Sequence, residues 1–122
     1  MDVLIDTSTL VAWERDHELF KAAPDELDLC ISAISASELL HGLERTRGAA
    51  RRHRRAQFIE AAFRSFAILP VNLAVAREHA RIWADLQAAG NMIGAHDLLI
   101  AATALHHGLR LATRNQRDFE RV

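Results

Sequence analysis

The sequence feature that most constrains the fold is a short apolar run that ends in an acid, VLIDTS at residues 3–8. Three branched apolar residues without alternating polar positions are typical of a strand buried on both faces, as in a parallel sheet. Asp6 would then lie at the carboxyl end of that strand, where open parallel sheets place their ligands. Alternatively, Asp6 only caps the next helix, a role that Thr7 and Ser8 also suit, with the helix beginning at about Leu10. This stretch alone leaves both interpretations open.

Strand and helix patterns alternate along the rest of the chain. Further strands are expected at 28–32, 68–71 and 109–113, and helices at about 10–23, from 35, and at 48–66, 72–90 and 98–105. No tight hairpin signal such as Asn-Gly separates the strands. We therefore expect an α/β fold with a small parallel β-sheet, right-handed helical crossovers and flanking α-helices, in a single domain over residues 1–122.

Composition limits the class of protein. With 122 residues and a formal net charge of -1, the chain is not a generally basic nucleic-acid binder, although a local basic patch is compatible with this sum. The single cysteine, Cys30, excludes an internal disulfide framework and a cysteine-based zinc site, and its apolar neighbours predict a core position. We see neither a signal-peptide pattern nor a run of roughly 20 apolar residues, so we expect a cytoplasmic protein without a membrane partner.

Three acids fall at strand-to-helix junctions and can meet along one rim of a parallel sheet. Asp6 ends the first strand, Glu38 lies in the first turn of the helix after the second strand, and Asp97 begins the most apolar helix. Asn115 and Asp118 follow the last strand and are expected on the same rim. Two of the acids also have local explanations, because SASE at 35–38 has capping-box spacing and Asp97 is favoured by the helix dipole.

Carboxylates gathered on one rim repel one another unless a cation joins them. Oxygen ligands with nearby hydroxyls and no cysteine suit a hard ion, Mg²⁺ or, as the alternative, Mn²⁺. One such ion, or two that lie roughly 3.5–4 Å apart, would make a hydroxide available and stabilise the leaving oxygen of a phosphodiester. The pattern therefore predicts metal-dependent phosphodiester hydrolysis.

The densest positive run contains five arginines and His53 between Arg47 and Arg55. A solvated helix face is one explanation of such a run. The other is a clamp for RNA phosphates, to which arginine is suited by its bidentate contacts. For the clamp, Arg51 and Arg55 are the candidate RNA-binding residues.

The chain resembles the PIN-domain ribonucleases, and in particular the VapC toxins of bacterial toxin–antitoxin pairs, over essentially its whole length. The segments that carry the resemblance are LIDTS at 4–8, ISASEL at 34–39, IGAHDLLIA at 93–101, LATRN at 111–115 and DF at 118–119. It implies a PIN-like fold in which Asp6, Glu38 and Asp97 are the acidic catalytic triad and ligate the metal.

The resemblance also assigns residues around the triad. Thr7 and Thr113 match supporting hydroxyl positions of the family. Asn115 stands where relatives often have a fourth acid, a departure that weakens the case for a second tightly held metal. Asn115 is expected to bind the ion through its carbonyl oxygen or a water, and Asp118 is a weaker metal-ligand candidate. Many relatives also carry a further short strand after the DF pair.

The function implied by the resemblance is a metal-dependent endoribonuclease toxin that cleaves a structured RNA such as tRNA and arrests growth. Its implied partners are a cognate VapB-like antitoxin and a second copy of the chain in a homodimer. One alternative is a catalytically weak or inactive interaction module with the same fold, which Asn115 favours. Another alternative is phosphoryl chemistry on Asp6. The sequence argues against it, because Asp6 has no Asp-x-Asp partner and the only lysine, Lys21, is not placed late in the chain as such domains require.

Overall fold

The computed structural model describes residues 2–16 and 28–122. Within these ranges, four parallel strands form one sheet in the order β3-β2-β1-β4. The strands are β1 (Val3–Ile5), β2 (Leu29–Ser32), β3 (Ala67–Leu69) and β4 (Arg110–Ala112). The helices are α1 (Thr7–Arg15), α2 (Ala33–Glu44), α3 (Ala49–Ser65), α4 (Leu73–Ala89), α5 (Ala95–His107) and α6 (Gln116–Phe119). The expected α/β fold with a small parallel sheet and flanking helices is confirmed.

The central strand β1 sets the position of the acidic edge. All three of its side chains are buried, as the apolar run predicts. In the register of the sheet, Leu4 of β1 pairs with Cys30 of β2 and with Leu111 of β4. Because these strands are parallel and level, the residues that follow them leave the sheet at the same edge. Asp6 and Thr113 are two of those residues.

The first two helices begin earlier than the sequence pattern predicts. Helix α1 begins at Thr7 rather than at about Leu10, because the N-cap is Asp6. Helix α2 begins at Ala33, because Ser32 at the end of β2 caps it by accepting hydrogen bonds from two backbone N–H groups at 3.1 Å. The predicted capping box at 35–38 is therefore wrong, and Glu38 lies in the second turn of α2 rather than in the first.

The later elements follow the predicted order, although α5 begins at Ala95 rather than at Leu98 and β3 ends at Leu69 rather than at Val71. Asn72 caps α4 by accepting from the Val75 N–H at 3.0 Å, and the helix ends at Gly90, whose φ is 71°. Helix α5 ends at Gly108 with a φ of 63° and packs its buried face against α4. The expected helix end before Pro24 lies outside the described residues.

Two further predictions concern the core and the membrane. Cys30 is fully buried in β2, as expected, and burial raises the pKa of its thiol. In the part of the chain that the structure describes, the helices are too short or too polar to span a bilayer.

Candidate active site

Asp6 is held at the carboxyl end of β1 by hydrogen bonds to both carboxylate oxygens. Its Oδ1 accepts from the Thr9 N–H at 3.0 Å and from Ser8 Oγ at 2.8 Å. Its Oδ2 accepts from Thr113 Oγ1, which lies just past β4. Asp6 is only 3% exposed, so these bonds compensate a carboxylate that is almost removed from water.

Glu38 reaches the same edge from α2. Its Oε1 accepts from Thr7 Oγ1 at 2.6 Å, and the same hydroxyl lies 3.1 Å from Ser35 Oγ. Its other oxygen, Oε2, lies 3.5 Å from Nδ1 of the exposed His96. Thr7 directly follows Asp6 in the chain, so the hydrogen bond from the Thr7 hydroxyl to Glu38 also ties α2 to the end of β1.

Asp97 lies in the first turn of α5 and faces the segment after β4. Asn115 Nδ2 donates to Asp97 Oδ2 at 3.4 Å and to Asp118 Oδ2 at 2.9 Å. The Asn115 N–H donates to Thr113 Oγ1 at 2.8 Å, which extends the network to Asp6. Because the amide nitrogen of Asn115 faces the acids, this geometry favours a bridging role over the expected ligand role of its carbonyl oxygen.

The other acids at this edge act electrostatically on Asp97. Burial raises the pKa of Asp97, the charges of Glu38, Asp6 and Asp118 raise it further, and the hydrogen bond from Asn115 lowers it. Like charges raise a pKa in this way only over short distances. The structure therefore brings together the three acids that the sequence places at separate junctions, with Asp118 beside them. We name this group of four the acidic edge.

The donors of the acidic edge fit a hard divalent cation. They are carboxylate, amide and hydroxyl oxygens, which Mg²⁺ and Mn²⁺ prefer. Within residues 2–16 and 28–122, no group of three or more His, Cys, Asp and Glu side chains is arranged to enclose an ion. Mg²⁺ usually takes one or two carboxylates and keeps several waters. The arrangement therefore fits an open ion site and not a closed cage of protein ligands.

The arginine run begins just before α3 and extends along its first half, and the structure divides its members. Arg55 forms a two-pronged ion pair with Glu14 of α1, at 3.1 and 3.2 Å. Arg52 donates to backbone carbonyl oxygens around the end of α2. Arg51 is exposed and has no side-chain partner among the described residues. Arg51 is therefore available to a ligand, whereas Arg55 ties α3 to α1.

Two serines of the network carry contacts that the sequence interpretation did not include. Ser8, which was expected only as a helix cap, donates to Asp6 and accepts from the Arg114 N–H at 3.1 Å. Its position two residues after an aspartate is a signal for such a local bond. Ser35 is fully buried beside Thr7, and its position in the sequence gives no sign of that contact.

Comparisons with known proteins cover this whole site. A family model described as PIN domain matches residues 3–122. Ribonuclease VapC1 from Rickettsia felis is 39% identical over 122 residues, which is 100% of this chain and 91% of that protein. The tRNA(fMet)-specific endonuclease VapC from Shigella flexneri is 33% identical over 94 residues, 77% of this chain and 69% of that protein. The structure of DNA-bound VapBC from Salmonella typhimurium gives a TM-score of 0.85 at 26% identity, covering 98% of this chain and 91% of that chain.

Proposed function

This chain belongs to the PIN domain family and, within it, to the VapC ribonucleases, and we propose that its acidic edge is the active site of a divalent-metal-dependent endoribonuclease. In this proposal, residues 1–122 form one PIN domain. The protein acts in the cytoplasm as the toxin of a toxin–antitoxin pair and arrests growth by cleaving RNA.

The observation that carries the proposal is the convergence of the acids at one edge of the sheet, where three of them act on Asp97. The pKa of Asp97 is raised by burial and by the charges of Glu38, Asp6 and Asp118. A cation bound among these acids would neutralise part of the charge that disfavours the ionised form of Asp97. In a metal-dependent nuclease, a cation held by such acids lies next to the phosphodiester that is cleaved.

In the mechanism, Asp6, Glu38 and Asp97 would hold the ion, with Asp118 as a weaker candidate. When bound, Mg²⁺ or Mn²⁺ supplies a hydroxide at neutral pH and stabilises the leaving oxygen of the phosphodiester. The surrounding residues orient the acids: Thr113 and Ser8 fix both oxygens of Asp6, and Thr7 fixes Oε1 of Glu38.

Asn115 has a positioning role in this proposal. Its amide nitrogen donates to Asp97 and Asp118, which holds both carboxyl groups and offsets part of their repulsion. An acid at this position would add charge to a site that already carries four carboxyl groups. Asn115 therefore favours a single tightly held ion.

The decisive experiment is incubation of the purified protein with total RNA in Mg²⁺, in Mn²⁺ and in EDTA. We expect RNA cleavage with Mg²⁺, with Mn²⁺ or with both, and no cleavage in EDTA. Because each ion is tested in its own reaction, the products show which ion the enzyme uses. Asp97→Asn and Asp6→Asn should each lower cleavage by about a hundredfold or more, because each removes a carboxylate that would hold the metal ion. Asparagine is also a good N-cap, so Asp6→Asn should leave α1 intact.

The matched control is Asp85→Asn, which changes an exposed aspartate of α4 and should cleave like the wild type. Cleavage that persists undiminished in Asp97→Asn, or that resists EDTA, contradicts the proposed active site. A protein free of bound partners that cleaves no RNA with either ion would instead support the non-catalytic interaction module.

The proposed substrate is a structured RNA with an exposed single-stranded loop, such as tRNA. Sequence-specific RNA recognition favours unstacked bases, and the relative from Shigella flexneri carries tRNA(fMet) specificity in its name. We expect cleavage of purified tRNA at one or a few positions and little cleavage of continuous duplex RNA. Mapping the ends of the products identifies the loop.

The arginine run is the proposed site for the RNA backbone away from the cleavage point. Arg51 has no partner among the described residues and can bind a phosphate. Arg55 is paired with Glu14 and contributes only to the positive charge of the surface. For Arg51→Ala we expect the slope of log affinity against log salt concentration to fall by about 0.7 to 0.9, the value for one lost phosphate contact. Arg77→Ala on α4 is the control, and an unchanged slope in Arg51→Ala would assign the run to a solvated helix face.

The proposed protein partners are a VapB-like antitoxin and a second copy of this chain. The structure from Salmonella typhimurium is a VapBC assembly, which supports a VapB-type partner. Partly exposed apolar side chains on α1 and α2, such as Val11 and Leu40, give an antitoxin helix a surface from which an arginine can reach the acidic edge. Co-expression of the antitoxin should restore the growth of cells that this protein arrests. Light scattering of the free chain should show whether it is a dimer.

A further inference from the structure

A cleft of about 470 Å³ lies beside the acidic edge, along one side of α1. It is lined by Thr7, Ser8, Val11, Ala12, Arg15 and Arg114. The residues from α1 are spaced so that they follow one another along a single face of the helix. The cleft therefore runs from Thr7, which is bonded to Glu38, to Arg15, about 12 Å further along the helix axis.

Two cationic side chains at the wall of this cleft have no partner in the part of the chain that the structure describes. Arg15 and Arg114 are exposed, and no side chain in the described ranges pairs with either guanidinium. Arg52 and Arg55, by contrast, are engaged by carbonyl oxygens and by Glu14. Planar guanidinium groups with free donors next to a nuclease site are suited to phosphate oxygens.

The position of Arg114 is fixed relative to the acids. Its N–H donates to Ser8 Oγ at 3.1 Å, and Ser8 in turn donates to both oxygens of Asp6. The backbone of Arg114 is therefore tied to the acidic edge, which places the start of its side chain beside Asp6. Between the two arginines, Val11 and Ala12 present an apolar surface.

This order of groups matches the chemistry of a nucleotide. Cations bind phosphate oxygens, an apolar wall contacts a base or a ribose, and the volume lies in the range of small-ligand sites. We propose that this cleft holds the RNA nucleotide adjacent to the scissile phosphate, with Arg114 and Arg15 on phosphodiester oxygens and Val11 and Ala12 against the base or ribose. The inference rests on the proposed ribonuclease function and adds to it a subsite that selects sequence.

Binding is tested without cleavage. Each variant is made in an Asp97→Asn background, and its affinity for a short fluorescein-labelled single-stranded RNA is measured in EDTA by fluorescence anisotropy. Arg114→Ala and Arg15→Ala should each weaken binding about tenfold, which is typical of one lost charge-assisted hydrogen bond, and should each lower the salt slope by about 0.7. Arg117→Ala, three residues further on and outside the cleft, is the control and should bind like the parent.

Selection of sequence is tested with the catalytic protein. Ala12→Leu narrows the apolar wall, so the bases found next to the cleavage point in total RNA should change, while the thermal midpoint stays within a few degrees of the wild type. In Arg114→Ala, which keeps that wall, the bases should stay the same and KM should rise. These two results separate a loss of charge from a change of shape.

The outcomes also separate this inference from the proposed function. If the arginine variants bind RNA like Arg117→Ala while wild-type cleavage is intact, the cleft is not a nucleotide subsite and the ribonuclease proposal stands. If the same variants keep RNA affinity but lose affinity for an acidic protein segment, the cleft is a protein-docking site and the inference is wrong. If wild type cleaves no RNA but the anisotropy differences appear, the cleft binds nucleotides in a protein with another activity.

Discussion

Asp6 does two things with one carboxylate. It caps α1 through the Thr9 N–H, and it faces the other acids at the end of β1. The cap and the strand end coincide, because the helix begins directly after the strand without a loop. A site residue that also begins a helix is held rigidly, so its orientation does not depend on a mobile segment.

At the same scale, Asp97 makes the stability of the metal-free protein depend on pH. Its pKa is raised above the ordinary value of 3.8 by burial first and then by the neighbouring carboxylates. The folded state therefore favours the protonated carboxyl. This preference adds to the free energy of unfolding at pH values below the pKa that Asp97 has in the unfolded chain. The contribution is lost as pH rises through the pKa that Asp97 has in the folded protein.

Asp97→Asn should therefore stabilise the protein at neutral pH in EDTA and have little effect at pH values below the unfolded pKa. Since Asp97 is partly exposed, solvent screening limits the gain to about 1 kcal/mol or less. Thermal unfolding of wild type and variant across pH 3 to 8 measures the difference. A difference that does not change with pH would mean that the acids do not act on Asp97.

At the scale of elements, the start of each helix decides where its residues face. Ser32 is fully buried at the end of β2 and satisfies two N–H groups of α2. This early start turns Ser35 toward Thr7 and places Glu38 where the same hydroxyl can reach it. The cap of α2 thus positions an acid that lies six residues later in the chain.

Ser32→Ala should lower the free energy of unfolding by about 1 kcal/mol, the typical loss for an N-cap side chain, with a larger effect if the freed N–H groups stay buried. Ser37→Ala is the matched control, because Ser37 is exposed inside the same helix and alanine is a better helix former. Chemical denaturation measures both variants. If Ser32→Ala proves no more destabilising than Ser37→Ala, Ser32 is not the residue that caps α2.

The sequence predicts the strands and helix ends of this chain well, and it predicts the helix starts less well. Gly90, Gly108 and Asn72 act where they are expected, because a left-handed turn and an N-cap depend on local chemistry. The start of α2 depends instead on where β2 ends in the sheet, and two serines within four residues offer competing caps. The same limit applies to the site: acids at strand ends predict the shared edge, whereas the contacts of Ser35 and Arg55 depend on how helices pack.

At the scale of the whole molecule, the acidic edge is assembled from four separate segments of the chain. The segments are the end of β1, helix α2, the start of α5 and the residues after β4, and α5 is the most buried helix. No short piece of the chain contains two of the three proposed catalytic acids. A ligand that bridges them therefore stabilises the fold as a whole.

Mg²⁺ or Mn²⁺ should accordingly raise the thermal midpoint of the wild type. Binding at a hundred times the dissociation constant adds about 2.7 kcal/mol, which corresponds to an increase of several degrees for a domain of this size. Asp97→Asn should lose most of this shift and Asp85→Asn should keep it. Equal shifts in all three proteins would place the ion at some other site.

The pairing of β4 with β1 also has a consequence for protein synthesis. Asp6 lies 107 residues ahead of its hydrogen-bond partner Thr113 in the chain, and the Asn115 N–H that donates to Thr113 follows later still. A nascent chain on the ribosome consequently carries Asp6 and Glu38 long before the residues that complete the acidic edge are made. Cleavage of the producing cell's RNA is therefore postponed until β4 has emerged from the exit tunnel, which gives an inhibitor time to accumulate.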